Sequence, residues 1–107
     1  MRERESDIVR AICDYLALKG HFFWRQNTAP AIQKSADGWT FRRMPKHAIK
    51  GVPDIILIKG GIFVGLEAKR PGVKQSPEQL EFERLTKVNG AQYHIVHSID
   101  DVRRLGL

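Results

Sequence analysis

The sequence predicts a small α/β domain with a mixed central sheet flanked by helices, and three stretches carry that prediction. In Pro53–Lys69, two apolar runs flank Gly60-Gly61 and read as an antiparallel hairpin closed by a two-residue turn. From Lys69 the chain passes through a capped helical segment to a β-like run at Gln92. That is a βαβ unit, so its two strands should lie parallel with a right-handed crossover. In Glu5–Lys19, apolar residues recur at three- and four-residue intervals, the pattern of a helix that covers a sheet. A length of 107 residues suits one domain, with a modest core that needs no staples.

Ile8, Val9, Ile12, Cys13 and Leu16 form the apolar stripe of the first helix, and Gly20 supplies its stop. Glu5 lies three, four and seven residues before Ile8, Val9 and Ile12, so it heads the stripe, whereas Glu3 lies off it. An acid in a first turn also gains from the helix dipole, which leaves Glu5 with two explanations. His21–Arg25 is aromatic and strand-like. Trp39–Arg43 follows the Asp37-Gly38 turn signal and reads as a second strand. Residues 27–36 show no periodicity and are expected to be a loop. Residues 44–50 are irregular too, and Gly51 should permit a close backbone approach before the Pro53 bend.

After Lys69 the run Arg70-Pro71-Gly72 cannot continue a central strand. Ser76, Pro77 and Gln79 make a Ser-x-x-Gln capping box with proline at the first helical position. Phe82, Leu85 and Val88 are expected to form the buried side of this helix, which Asn89-Gly90 ends. Gln92–Val96 is a further strand of the main sheet. Ser98 and Asp101, at capping spacing, open a short last helix running through Leu105. His94 and His97 lack the spacing and the cysteine partners of a zinc site.

The hairpin carries the chemistry. With Gly60-Gly61 as the turn, Lys59 pairs with Ile62, and counting outward sets Asp54 opposite Glu67. Opposed residues have Cβ atoms about 4.5–5.5 Å apart. Lys69, two residues beyond Glu67, projects from the same face. Two carboxylates so close repel, each raises the other's pKa, and their apolar flanks leave little water. A hard divalent cation removes the conflict, because Mg²⁺ is typically held by one or two carboxylates with water and phosphate oxygens. The alternative is an acidic pair at an open sheet edge with Lys69 as its ion-pair partner.

Composition narrows the function classes. Hydrophobic residues make up 42%, which argues against disorder, and the single Cys13 can form no internal disulfide. No apolar run approaches the roughly 20 residues that span a bilayer. A soluble, cytoplasmic protein without a membrane partner is expected. The net charge is +6, concentrated in Arg25, Lys34, Arg42, Arg43, Lys46 and Lys50 against Asp37 alone. A cationic segment leading into Pro53-Asp54 suits a polyphosphate substrate approaching a metal.

Pro53-Asp54, the hairpin, and Glu67-Ala68-Lys69 resemble the PD-(D/E)xK nuclease signature. The wider wording is more specific: Lys50-Gly51-Val52-Pro53-Asp54, Ser76-Pro77-Glu78-Gln79 and a helix led by Glu5 resemble the VRR-NUC domain, over nearly the whole chain. The resemblance implies a restriction-endonuclease-like fold and a metal-dependent DNA endonuclease of the stand-alone phage or bacterial type. It implies one or two Mg²⁺ or Mn²⁺ ions held by Asp54, Glu67 and the Ala68 backbone carbonyl, with Glu5 joining directly or through water. Lys69 would act on the attacking water or the transition state, and Gln79, besides its capping role, would lie near the lysine.

Arg25 and Asn27 match the family's Arg-x-Asn step near the active site. With Arg42, Arg43, Lys46, Lys50 and Lys74 they are the expected nucleic-acid contacts. Such contacts fix register without reading sequence. The resemblance also implies, for a stand-alone domain of this size, a likeness to Holliday-junction resolvases and pairing as a homodimer, for which Phe22, Phe23, Trp24, Trp39 and Phe41 offer an apolar surface. Two other readings of the chain are a non-catalytic module that binds branched DNA and a general or restriction-type nuclease.

Overall fold

Nine elements follow one another in the computed structural model, which describes residues 3–26, 32–35, 38–41 and 45–107. They are α1 (Glu5–Lys19), β1 (Phe22–Arg25), β2 (Ile32–Ser35), β3 (Gly38–Phe41), β4 (Ile55–Lys59), β5 (Ile62–Ala68), α2 (Pro77–Val88), β6 (Gln92–Val96) and α3 (Ile99–Arg104). The main sheet has the order β1-β4-β5-β6, and β2 pairs with β3 in a separate two-stranded sheet. β1/β4 and β4/β5 are antiparallel, while β5/β6 is parallel, as the helical crossover requires. No helix among the described residues is long and apolar enough to cross a membrane.

Gly60 and Gly61 both take positive φ, 59° and 78°, the left-handed pair that a type I′ hairpin turn needs. Lys59 consequently pairs with Ile62, and each step outward keeps the register that the sequence implies, to Ile55 opposite Leu66. Alternation along the strands then separates two faces. One face presents Ile55, Leu57, Val64, Leu66, Ala68 and Val96 to Ile8, Val9, Ile12 and Leu16 of α1 and Val102 of α3, forming the core. The other carries Ile56, Phe63, Gly65 and Tyr93 on their paired positions. There Phe82 of α2 lies 6.5 Å from the Phe63 ring and 6.2 Å from Tyr93. Leu57 is fully buried between sheet and helix. Leu57→Ala should cost about 2–5 kcal/mol in urea unfolding, because the removed volume leaves a cavity in a central strand.

Three expectations are corrected. Residues 27–36 are not loop throughout, since Ile32–Ser35 forms β2. Only one of its four residues is apolar, so no periodicity marks it, and pairing with β3 makes it a strand. The strand expected at Trp39–Arg43 begins one residue earlier and is described over Gly38–Phe41. Of Phe82, Leu85 and Val88, all expected on the buried side of α2, only Phe82 lies there. Leu85 and Val88 are exposed, whereas Thr86 is buried and Gln79, Phe82 and Glu83 are half-buried. Anchoring of the first turn through Gln79 rotates the helix so that positions 79, 82, 83 and 86 face the sheet.

Candidate active site

The hairpin splays open at its far end. Asp54 lies one step beyond the Ile55–Leu66 pair, and its carbonyl accepts the Gln26 N–H at 2.8 Å, prolonging the β1–β4 ladder. On the other strand, the Lys69 N–H already donates to the Val96 carbonyl of β6, at 3.0 Å. The Asp54 side chain bridges the gap, its Oδ2 accepting the Ala68 N–H at 2.9 Å. One carboxylate oxygen is thereby locked against the backbone of β5.

Glu67 stands opposite Asp54 and is only 4% exposed. Its Oε1 accepts a hydrogen bond from Gln79 Nε2 at 3.0 Å, while its Oε2 is buried with no partner among the described residues. Burial is the main force pushing the Glu67 carboxyl up to about 8, and the Asp54 charge adds to it, with Lys69 opposing. Lys69 is also buried, at 9% exposure. Its carbonyl accepts the Nδ1–H of His97 at 2.7 Å, which pins the chain just past the acidic pair.

Gln79 serves both purposes that the sequence leaves open. The Oε1 end of its amide accepts the Ser76 N–H at 2.9 Å and its own N–H donates to Ser76 Oγ at 3.2 Å, closing the capping box. The Nε2 end is then free to hold Glu67. Gly51, at φ +82°, packs against this same first turn, where a Cβ would overlap the Glu78 carbonyl. This brings the exposed Lys50 beside the start of α2. Gly51→Ala should lower stability by about 1–3 kcal/mol, since the residue meets both a left-handed backbone and a steric overlap. A thermal melt unchanged from wild type would contradict that packing.

Other expected residues are spread differently. Arg25 is exposed and pairs with Ile55, which places it on the α1 side of the sheet. Burial raises the Cys13 thiol pKa; the Arg25 charge opposes this, and Asp14 and Asp54 reinforce it. The thiol of α1 thus lies within electrostatic reach of the Asp54 end. Glu5 is half-buried at the start of α1, the helix that covers the face opposite Asp54 and Glu67. No three His, Cys, Asp or Glu side chains among the described residues are close enough to hold a metal ion, so Glu5 is not gathered with the pair. Lys46 and Lys74 are exposed. Asn27, Arg42 and Arg43 lie outside the described residues.

Two neighbours were missed in the sequence. Gln26 sits opposite Asp54 and accepts the Trp24 indole N–H at 3.0 Å; extending the two-residue alternation one step past Arg25 would have found it. His97 carries no sequence signal, because its partner is a backbone carbonyl brought near only by the parallel pairing.

A divalent cation fits this arrangement. Two side-by-side carboxylates, each with an oxygen held by a protein donor, and a buried Glu67 oxygen lacking any partner together make an oxygen-rich, under-satisfied site. Mg²⁺ needs only one or two carboxylates, with waters and phosphate oxygens filling the shell.

No family model matches the sequence, and no curated protein matches it. Among solved structures, one described as a VRR_NUC domain superposes with a TM-score of 0.64, covering 94% of this chain and 91% of that one at 19% identity. The chain has the fold of a VRR-NUC domain: a mixed four-stranded sheet between helices, with the acidic pair at the open end of its central hairpin.

Proposed function

We propose that this chain is a metal-dependent DNA endonuclease that hydrolyses phosphodiester bonds, with branched DNA such as a four-way junction as its substrate. The observation that carries the reading is the buried, unpartnered Glu67 oxygen beside Asp54, two residues before a buried lysine. Unpaired buried acid costs stability and is retained where it has a ligand to bind.

In this reading Asp54, Glu67 and the Ala68 carbonyl hold Mg²⁺ or Mn²⁺, and Glu5 takes part through water from the helix behind the sheet. Such an ion, when bound, lowers the pKa of water and neutralises charge on the scissile phosphate. Lys69 supplies a cation, or a proton-transfer group, at the attacking water or the transition state. Gln79 keeps Glu67 oriented, and His97 holds the backbone from which Lys69 projects. Arg25, Asn27, Arg42, Arg43, Lys46, Lys50 and Lys74 contact the phosphate backbone and set register. Two copies would place two such sites for symmetric nicks across a junction. The lone Cys13 thiol suits a reducing, cytoplasmic setting.

The test is cleavage of a four-way junction, a flap and a linear duplex of matched length in Mg²⁺, Mn²⁺ or EDTA. Paired symmetric nicks in the junction, abolished by EDTA, are expected. Equal cutting of all three would discard the preference for branches and keep hydrolysis. Binding without cutting in either metal would make the chain a DNA-binding module and overturn the assignment.

A further inference from the structure

The face that carries the acidic pair continues into an aromatic surface that the proposed hydrolysis leaves unused. Trp24 pairs with Ile56 and Phe22 with Ile58, so both rings share the face of Asp54 and Glu67. Trp24 is 41% exposed and Phe22 67%, although burial of such rings is worth more than that of any other side chain. They pack on one another, with ring centres 5.8 Å apart and planes inclined by 52°. The hydrogen bond from the indole N–H to Gln26 Oε1, 3.0 Å, ties the ring to the residue facing Asp54. Trp24 and Asp54 are diagonal neighbours across two strands, about 7–8 Å apart at the backbone and within reach of an aromatic side chain.

We propose that Trp24, supported by Phe22 and oriented by Gln26, is a stacking platform for an unpaired nucleobase of the substrate strand next to the scissile phosphate. The proposal rests on the nuclease reading above and adds to it a requirement for an unstacked nucleotide at the cut. A base within a continuous duplex is already stacked on both sides and offers no free face; a base at a branch point or in a single strand does. Stacking on an aromatic ring tolerates any base, in keeping with a site whose other contacts go to phosphates. A second copy of the chain is the competing occupant. Seated on Trp24, it would crowd Gln26 and the acidic row, polar groups that a substrate must reach, whereas a strand threading that row brings its own bases to the ring.

The chain has two tryptophans, so Trp39→Phe makes Trp24 the sole reporter. In that background Asp54→Asn with EDTA prevents cleavage, and emission is followed during titration with a short oligothymidylate or a blunt duplex of equal length. Saturable quenching by the single strand and little change with duplex are expected. Trp24→Ala should weaken single-strand affinity about tenfold, by loss of one stacked base, with duplex affinity unchanged and Trp24→Phe restoring most of the loss. Unchanged emission at saturation, or equal affinity of Trp24→Ala and wild type, would overturn the platform. So would emission that varies with protein concentration in the absence of DNA, which would assign the ring to a second copy. The two readings fail separately. Metal-dependent cutting with a silent Trp24 removes the platform alone, and quenching by single strands without cutting in any metal removes the nuclease alone.

Discussion

Asp54→Asn is expected to slow DNA cleavage in Mg²⁺ about 10³-fold while leaving the fold and DNA binding in EDTA intact. The amide is isosteric, and its oxygen can still accept the Ala68 N–H that bridges the splayed strand ends, so the backbone of the site should survive. What disappears is one of the two negative charges facing each other across the hairpin, and with it half of the carboxylate set for a divalent cation. Lys69→Ala should cost about 10²–10⁴-fold through a different loss, that of the cation or proton-transfer group, with metal affinity retained. Single-turnover rates, together with metal affinity from calorimetry, separate the two variants. An Asp54→Asn enzyme within tenfold of wild type would show that the acidic pair is not the catalytic centre.

Glu67→Gln should abolish cleavage and yet raise the thermal stability of the metal-free protein at pH 8, by about 2–5 kcal/mol or on the order of 10–20 °C in Tm. Burial first, and then Asp54, lifts the Glu67 carboxyl from its ordinary value of 4.5 to about 8. Below the unfolded value the group is protonated in both states and costs nothing. As pH rises from about 4.5 towards 8, the unfolded chain releases the proton while the folded chain keeps it. The unfolded state therefore gains, and stability falls across that window before levelling above it. Glutamine never ionises. Its carbonyl can still accept from Gln79 and its amide can donate to Asp54, so the fall that Glu67 contributes should vanish in the variant. Excess Mg²⁺ should likewise recover stability in the wild type at pH 8, since the ion binds only the ionised folded site. A stability gap between wild type and Glu67→Gln that does not widen between pH 5 and 8 in EDTA, or a less stable Glu67→Gln at pH 8, would refute the account.

Together these outcomes describe a site whose stability and chemistry oppose each other. The acid that leaves the apo-protein least stable is the one that the proposed ion requires, a familiar trade at functional sites.

The local pattern of the chain determined most of its elements and the central pairing. The two glycines at 60 and 61 admit one tight turn, and a strand period of two then carries that register to Asp54 and Glu67 without further information. The Ser76–Gln79 box and the stripe of α1 are likewise short-range, because caps and amphipathic faces depend on residues three or four apart. Tertiary structure alone decided which face each element covers. Glu5 heads the apolar stripe as its spacing says, yet α1 lies on the face opposite the acidic pair, a choice made by core packing against Leu57, Leu66 and Val96. The double use of Gln79 follows from the docking of α2 on the sheet, and this docking also turned Leu85 and Val88 outward. His97 meets the Lys69 carbonyl through a parallel pairing of strands separated by a whole helix. β2 exists because β3 lies beside it. Sequence spacing encodes what neighbouring residues do to one another, whereas burial, which sets the charge state of Glu67, is a property of everything packed around it.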